Sequence, residues 1–399
     1  MTEMERRNHL RKDFSSHLKT EGFRISPAHN YIERRLKTLM GAERYKAYLD
    51  TGDNYRAGVV GVDAIYQTVR SKEEAHLLFS QQADVILESG VWLATKLAEC
   101  DPEPKRIADL GCATGAMTRW LAKVFTTAHV AGFDREKCLL DIATRIPGQA
   151  QFIRWDYGRE ETVPEDGFDA LVSALGIDFD GAAASPDIPL DCNEYRALDS
   201  CKKVREFAQP IFANWRSTAK NGAQLFIVPR VGSLWALVGI VDAASDAGWS
   251  LELDCFLKLQ VNAHEQMPGL TFTAKVSERP DEHLLAGAWI ADTLCMSPDK
   301  PLMHEAARSV YRFLGPKEVI VSNKHQFDDG HTAWCTIAKC GPWALRFTEA
   351  TTGYARLEFH PSHKTRQLDP SVCLKPRLTC LSQTRQFPIR VSGQKHLPN

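Results

Sequence analysis

The strongest constraint in this sequence is an apolar run that ends in a glycine-bearing turn, Arg106-Ile-Ala-Asp-Leu-Gly-Cys-Ala-Thr-Gly115. A helical pattern starts near Ala116, and a second apolar run follows it and ends at Asp134. Gly111 and Gly115 allow a sharp turn and let a ligand approach the backbone where a side chain would collide. Strand, turn, helix, strand and acid in this order predict a cofactor pocket at the carboxyl ends of parallel strands.

Further strand patterns alternate with helix-length segments along the chain, at residues 151–156, 168–173, 223–228, 246–253 and 270–276. The last two are expected to pair as a hairpin. Strands that alternate with helices predict an α/β fold with a doubly wound, seven-stranded, Rossmann-like sheet. The turn by itself is less specific, because a glycine turn can join any strand to any helix.

The pattern Asp109-x-Gly111-x-x-x-Gly115 resembles motif I of the class I S-adenosylmethionine (SAM) methyltransferases, with Ala113 at the position of the usual middle glycine. A dinucleotide-binding fingerprint would instead read G-x-G-x-x-G. An aspartate before the turn would repel a diphosphate, whereas it suits a ligand that carries an ammonium and a sulfonium. The resemblance spans residues 85–278 and implies a methyltransferase with SAM as its cofactor.

The resemblance also implies which residues bind SAM. Asp134 is expected to accept hydrogen bonds from the ribose hydroxyls, and Asp156 is expected to meet the adenine amine. The full set of predicted cofactor residues is Asp109, Gly111, Cys112, Ala113, Gly115, Asp134, Asp156 and Ser173.

Composition disfavours several classes of protein. The chain has 399 residues and a net charge of −1, so no global charge attracts nucleic acid or a membrane surface. No apolar stretch is long enough to span a bilayer, and the first residues lack the apolar core of a signal peptide. The eleven cysteines contain no CxxC pair and are expected as reduced thiols of a cytoplasmic protein. No metal site is expected, because the densest group of possible ligands fits no zinc spacing: His325, His331, Cys335 and Cys340.

The chain is expected to have four parts: a helical lead-in at 1–84, the methyltransferase domain at 85–280, a small α+β domain at 281–359 and a basic, flexible tail at 360–399. The small domain is expected to end in an antiparallel meander and to offer a surface to a protein partner or a second copy of the chain. The tail could rest on phosphates, although such a terminus is more often only solvated.

Two signals organise the lead-in. Helical periodicity runs from Tyr31 to Leu49, and Ser71-Lys-Glu-Glu74 is a capping box that predicts the start of one long helix carrying Leu78, Val85 and Ile86. In methyltransferases such a lead-in often lies over the SAM pocket, and it could equally pack on the edge of the sheet.

The region after strand four resembles a narrower group, the FtsJ-like ribose 2′-O-methyltransferases. A long helix expected at 193–220 leads through Asn221-Gly222 into strand five, as in that layout. Those enzymes use a Lys-Asp-Lys-Glu tetrad, in which a lysine deprotonates or orients the ribose hydroxyl. Here Ala174 stands where the aspartate is expected and Arg230 where a lysine is expected, and arginine stays protonated. The tetrad is therefore degenerate, and RNA ribose methylation is less favoured.

Methyl transfer is a direct displacement, so a base is needed only for a poorly acidic hydroxyl or a protonated amine. The candidates for this acid–base role are Asp178, Asp180, Tyr195 and Arg230. Three functions stay open: a SAM-dependent enzyme acting on a hydroxyl or amine, with a small molecule favoured; an RNA-directed enzyme; and a methyltransferase-like scaffold without catalysis. The retained SAM motif favours the first.

Overall fold

The computed structural model describes residues 3–27, 29–159, 164–178, 194–230, 234–252, 257–260, 266–275, 302–303, 307–308, 311, 318–327, 330–340 and 343–361. The chain divides into two units, residues 1–296 with 312–315 and residues 297–311 with 316–399. Two expectations lie outside the described residues: Asp180 and the basic tail from 362 onward.

The helices described before the sheet are α1 (Glu3–Glu21), α2 (His29–Arg56), α3 (Val62–Tyr66), α4 (Lys72–Ser80) and α5 (Ala83–Glu99). The Ser71 hydroxyl accepts a hydrogen bond from the Glu74 amide at 3.2 Å, so the predicted cap is confirmed. The single long helix predicted after it is wrong, because the chain breaks between α4 and α5. At that break the Ser80 hydroxyl bonds back to the His76 carbonyl at 2.5 Å, a contact that competes with continuation of the helix.

The first unit is built on a mixed sheet with strands β1 (Arg106–Leu110), β2 (His129–Asp134), β3 (Gln151–Arg154), β4 (Phe168–Asp178), β5 (Ala219–Arg230), β6 (Trp249–Leu251), β7 (Leu257–Gln260) and β8 (Gln266–Ala274). Their order is β3-β2-β1-β4-β5-β8-β6, with β7 paired to β8 outside this path. Strands β1 to β5 are parallel, and β8 is antiparallel to both β5 and β6. The predicted Rossmann-like sheet and the hairpin at its far edge are confirmed.

Helices cover both faces of this sheet, and those that follow its strands are α6 (Ala116–Val124), α7 (Lys137–Arg145), α8 (Glu194–Thr218) and α9 (Leu234–Asp246). Because successive strand residues point to opposite faces, Ile107 packs with α1, α5 and α6, whereas Ala108 packs with α8 and α9. On the first face Phe14 of α1 stacks on Trp120 of α6, with ring centroids 4.1 Å apart. The two apolar layers fix the carboxyl ends of β1, β2 and β4 at one edge of the sheet.

The second unit contains a five-stranded antiparallel sheet ordered β10-β11-β12-β13-β9, with strands β9 (Leu302–Met303), β10 (Glu318–Gln326), β11 (Thr332–Cys340), β12 (Trp343–Ala350) and β13 (Ala355–Pro361). The predicted meander is confirmed. The Tyr311 ring stacks on Phe347 at 4.1 Å. Cys335 is disulfide-bonded, so the expectation of reduced thiols is wrong for this residue, since sequence spacing alone does not show which cysteines pair. Three other described cysteines are free thiols: Cys100, Cys112 and Cys138.

Within the part of the chain that the structure describes, no helix is both long and apolar enough to cross a membrane. In the same part, no three His, Cys, Asp or Glu side chains come together as a possible metal site. The cytoplasmic location stays a prediction.

Candidate functional site

The predicted glycine turn borders a cavity at the carboxyl ends of β1, β2 and β4. Gly111 has a φ of 81°, a left-handed conformation that favours glycine. A Cβ atom on Gly111 would lie 2.4 Å from the Cα atom of Gly176, so the turn and the end of β4 are in backbone contact. Ala113 also has a positive φ, 49°. The residue that replaces the usual middle glycine therefore adopts a backbone that glycine would reach at lower cost.

Asp109 is completely buried near the end of β1. The Thr118 hydroxyl donates to its Oδ2 atom at 2.6 Å, whereas its buried Oδ1 atom has no hydrogen-bond partner among the described residues. Burial raises the pKa of Asp109 to about 7; the Thr118 hydrogen bond opposes this shift and the Asp134 charge adds to it. A buried carboxyl group with an unpaired oxygen at a cavity suits a ligand that brings a positive charge.

Asp134 ends β2 and is also buried. Its Oδ2 atom accepts a hydrogen bond from the Ala113 amide and its Oδ1 atom accepts one from the Glu136 amide, both at 2.8 Å. Burial raises the pKa of Asp134, although the two amides stabilise its charged form. The carboxylate therefore links β2 to the glycine turn, a connection that the sequence spacing did not predict.

A cavity of about 790 Å³ is bordered by the turn, the strand ends and the N-terminal helices. Its lining includes six of the eight predicted cofactor residues: Asp109, Gly111, Cys112, Ala113, Asp134 and Asp156. Of the other two, Gly115 caps the start of α6, and the buried Ser173 hydroxyl donates to the Leu110 carbonyl at 2.8 Å. Ser173 thus ties β4 to β1 beside the cavity.

Part of the helical lead-in lines the cavity and forms its roof, defined here as residues 55–66 with Phe79 and Gln82. The sequence left open whether the lead-in covers the pocket or packs on the sheet edge, and it did not identify these residues. The Tyr66 and Phe79 rings lie 5.6 Å apart. A second cavity of about 270 Å³ adjoins the first beneath α2, α3 and α4. Residues that line both are Tyr55, Val62, Tyr66, Phe79, Gln82 and Leu175. Aromatic residues at helical spacing pack into a helix core as readily as into a cavity wall, so no sequence signal marked them.

Among the charged residues of the described cavity lining, carboxylates outnumber arginines by six to two. Arg135 lies 3.4 Å from Asp63 and 3.5 Å from Glu136, and Arg159 lies 3.9 Å from Asp156. Three lining carboxylates have no arginine of the described lining within this range: Asp109, Asp134 and Glu206. The excess of negative charge favours a ligand with cationic groups.

The predicted acid–base residues lie on different elements, and one of them lies outside the described residues. Asp178 and Arg230 end β4 and β5, where their Cα atoms are register partners. Tyr195 is the second residue of α8, and Asp180 lies outside the described residues. Ala174, at the position where the ribose methyltransferases have an aspartate, lines the cavity.

The end of β4 departs from a regular strand beside the cavity. Its register with β5 shifts between Ala174 and Asp178, and Leu175 has a φ of 57°, which is uncommon for leucine. The Tyr157 hydroxyl donates to the Gly176 carbonyl at 3.0 Å and holds this bend. Backbone strain of this kind concentrates at functional sites. The sequence Ala-Leu-Gly carries no signal that would have predicted it.

Residues 107–184 match the model of a family described as a methyltransferase domain. No curated protein matches the chain. Solved structures that resemble it include a TehB-like SAM-dependent methyltransferase from Corynebacterium glutamicum, 22% identical, with a TM-score of 0.28 over 43% of this chain and 80% of that one. Human N-acetylserotonin methyltransferase in complex with SAM is 14% identical, with a TM-score of 0.36 over 60% of this chain and 70% of that one. Magnesium protoporphyrin IX methyltransferase from Synechocystis with bound SAM is 12% identical, with a TM-score of 0.31 over 63% of this chain and all of the other.

Proposed function

We propose that the chain is a SAM-dependent methyltransferase that transfers the methyl group of SAM to a hydroxyl or amine of a small molecule. Its match to a methyltransferase-domain model over residues 107–184 supports the reaction class. The observation that carries this proposal is the second cavity, which continues the first beneath α2, α3 and α4. Because the two cavities share lining residues, an acceptor bound in the smaller cavity would lie close to a cofactor bound in the larger one.

The residues of the larger cavity fit SAM. The unpaired Oδ1 atom of Asp109 suits the cofactor's ammonium group, because a buried carboxylate is stabilised by a charged hydrogen-bond donor. Asp134 is proposed to accept hydrogen bonds from the ribose hydroxyls, and Asp156 to accept one from the adenine amine. Gly111, Cys112 and Ala113 would contribute backbone surface close to the cofactor.

When bound, SAM would supply a methyl group on its sulfonium: the acceptor's lone pair would bond to the methyl carbon while the carbon–sulfur bond breaks and S-adenosylhomocysteine leaves. The chain's own task is to orient the acceptor and exclude water, and orientation can supply much of the rate. The roof is suited to this task because Tyr55, Tyr66 and Phe79 line the cavity with aromatic rings. Four residues are proposed for proton transfer or acceptor orientation: Asp178, Asp180, Tyr195 and Arg230.

A small acceptor is favoured over RNA by charge. The lining carboxylates outnumber the arginines by six to two, and both arginines lie beside carboxylates, so the cavity would repel a phosphate backbone. Aromatic walls suit an acceptor with a flat apolar face. The RNA-directed alternative would depend instead on the basic tail, and the scaffold alternative requires a cavity that does not support methyl transfer, whether or not it binds SAM.

Calorimetric titration with SAM and with S-adenosylhomocysteine (SAH) tests the cofactor site. The wild-type chain is expected to bind both in the micromolar range, and Asp134→Ala to weaken binding more than about tenfold by removing a charge-assisted hydrogen-bond acceptor. Asp141→Asn is the matched control, because this carboxylate is exposed on α7 and pairs with Lys137 at 2.7 Å. Equal affinities for the two variants would refute the placement of the ribose at Asp134.

Incubation with radiolabelled SAM then distinguishes small-molecule acceptors from RNA. Transfer to members of a panel of small hydroxylated and amino compounds, with none to total RNA, supports the proposal. Transfer to RNA that is lost on removal of residues 365–399 would establish the RNA-directed alternative. SAM binding without transfer to either panel would favour the scaffold.

A further inference from the structure

A buried ion pair connects the N-terminal helix to the helix that follows the glycine turn. Glu21 is the last residue of α1, and Arg119 lies in α6. Glu21 Oε1 accepts from Arg119 Nε at 2.8 Å, and Glu21 Oε2 accepts from Arg119 Nη2 at 3.0 Å. Both side chains are buried, so removal of either partner leaves an uncompensated charge away from water. This two-point contact fixes the orientation of the guanidinium plane and places a carboxylate against its positive charge.

The same guanidinium holds the glycine turn. Arg119 Nη2 also donates to the Thr114 carbonyl at 3.0 Å, and Nη1 donates to the Ala143 carbonyl at 3.3 Å. Thr114 lies between Ala113, whose amide is bound by Asp134 from the β2 side, and Gly115. The turn is therefore held from two directions, by β2 at the Cys112–Ala113 peptide group and by α1 through Arg119 at the Thr114–Gly115 peptide group.

A second residue of α1 reaches the other side of Gly115. His17 Nε2 lies 2.9 Å from the Ala116 carbonyl, and His17 Nδ1 lies 3.2 Å from Lys123 Nζ. A carbonyl only accepts and an ammonium only donates, so the proton belongs on Nε2 and Nδ1 accepts. Burial lowers the pKa of His17, in agreement with a neutral ring. The carbonyls of Thr114 and Ala116, on either side of Gly115, are thus both bound by groups that depend on α1.

We propose that Glu21 and His17 are positioning residues of the cofactor site, and that docking of α1 and binding of the cofactor are coupled through the carbonyl groups of Thr114 and Ala116, the residues on either side of Gly115. The inference rests on the proposed placement of the cofactor at the turn. Neither residue lines the cavity, so each acts through the turn rather than by touching the ligand. A turn already held in its bound shape loses less conformational freedom on binding, which strengthens binding.

Coupling of this kind is reciprocal. If the docked α1 favours the cofactor, the cofactor must favour the docked α1 by the same factor. A residue that merely stabilises the fold would not show this second effect.

The experiment compares Glu21→Gln with Glu74→Gln. Glu74 is a matched control because it is equally buried and its carboxylate also forms a two-point pair, with Arg44 Nη1 at 3.1 Å and Nη2 at 2.9 Å. This control pair joins α2 to α4 and lines neither cavity. Calorimetry with SAH should show about a tenfold loss of affinity for Glu21→Gln and less than a twofold change for Glu74→Gln. Equal losses in the two variants would overturn the proposal, because the effect would then follow general destabilisation.

Hydrogen exchange of the wild-type chain supplies a test that needs no variant. Saturating SAH should slow amide exchange across residues 3–21 at least about fivefold. Unchanged exchange in α1 on clear SAH binding would overturn the coupling while leaving the proposed function intact. Absence of SAH binding by the wild-type chain would instead refute the proposed function itself. Should Glu21→Gln fail to fold, this comparison of free and bound wild-type chain decides the question.

Discussion

The floor and the roof of the larger cavity are built on different principles. The floor, meaning the glycine turn with the ends of β1, β2 and β4, is held by backbone geometry and by buried hydrogen bonds that Asp109 and Asp134 accept. The roof is made of helical segments and the α2–α3 connection, which present side chains, and part of it is solvent-exposed, with Val59 in that connection 70% exposed. Backbone geometry tolerates little change, whereas a wall of side chains can be altered residue by residue.

This difference suggests a division of work. A floor that depends on the backbone suits a ligand that never changes, which is the cofactor. A roof that depends on side chains suits a ligand that differs from one enzyme to another, which is the acceptor. The two regions touch at Leu175, which lines both cavities from the bend at the end of β4.

The largest expected effect comes from a methyl group added to the floor. Gly111→Ala places a Cβ atom 2.4 Å from the Gly176 backbone and forces alanine into a φ of 81°. The combined clash and strain should cost more than about 3 kcal/mol, and SAH affinity should fall more than about a hundredfold. Thermal unfolding and calorimetry measure the two losses.

Gly58→Ala in the roof is the counterpart. Gly58 has a similar φ of 70°, but a Cβ atom there would meet nothing within 4 Å. The strain alone should cost about 1 kcal/mol and leave SAH affinity within about twofold. If the two variants lost affinity equally, the distinction between a backbone floor and a side-chain roof would not hold.

The sequence predicted the floor far better than the roof, and the reason is physical. Gly111, the acid at 109 and the acid at 134 follow from local rules on turns and strand ends, which act over a few residues. The Asp134–Ala113 contact and the bend at Leu175 depend on how separate strands meet, so no local pattern reveals them. The roof residues come from three helices and the connections beside them, and their shared wall exists only after those helices pack.

A smaller effect should appear as a pH dependence of the floor. Burial raises the pKa of Asp109 to about 7, so this carboxyl group is largely protonated in the free chain at pH 5.5. The cofactor's ammonium prefers the ionised form, so affinity should rise with pH up to about 7 and then level off. Between pH 5.5 and 7.5 the expected gain in SAH affinity is more than about tenfold.

Asp109→Asn is the control for this pH dependence, because the amide oxygen can still accept from Thr118 but does not titrate. Its SAH affinity should be lower than that of the wild-type chain at pH 7.5 and nearly constant between pH 5.5 and 7.5. A wild-type profile that is equally flat would mean that Asp109 is not the group that meets the ammonium.

The smallest expected effect is a loss of folding stability at acidic pH, through the contact between α4 and α1 at His76. His76 of α4 is buried, its Nδ1 atom lies 2.7 Å from the Glu21 carbonyl and its Nε2 atom has no partner among the described residues. Burial lowers the pKa of His76 to about 4, below its ordinary value of 6.5, so the unfolded chain takes up a proton that the folded chain refuses. The stability from this group is therefore present above pH 6.5 and is lost as the pH falls towards 4. Between pH 6.5 and 5 the free energy of unfolding should drop by about 1.5 kcal/mol in urea titrations.

Two histidine variants check this assignment. His76→Gln, which can still donate to the Glu21 carbonyl, should remove this drop in the free energy of unfolding, whereas His9→Gln on the exposed face of α1 should leave the drop unchanged. SAH affinity of His76→Gln at pH 7.5 should stay within about threefold of the wild-type value, since His76 contacts the backbone carbonyl of Glu21 and not the carboxylate that pairs with Arg119.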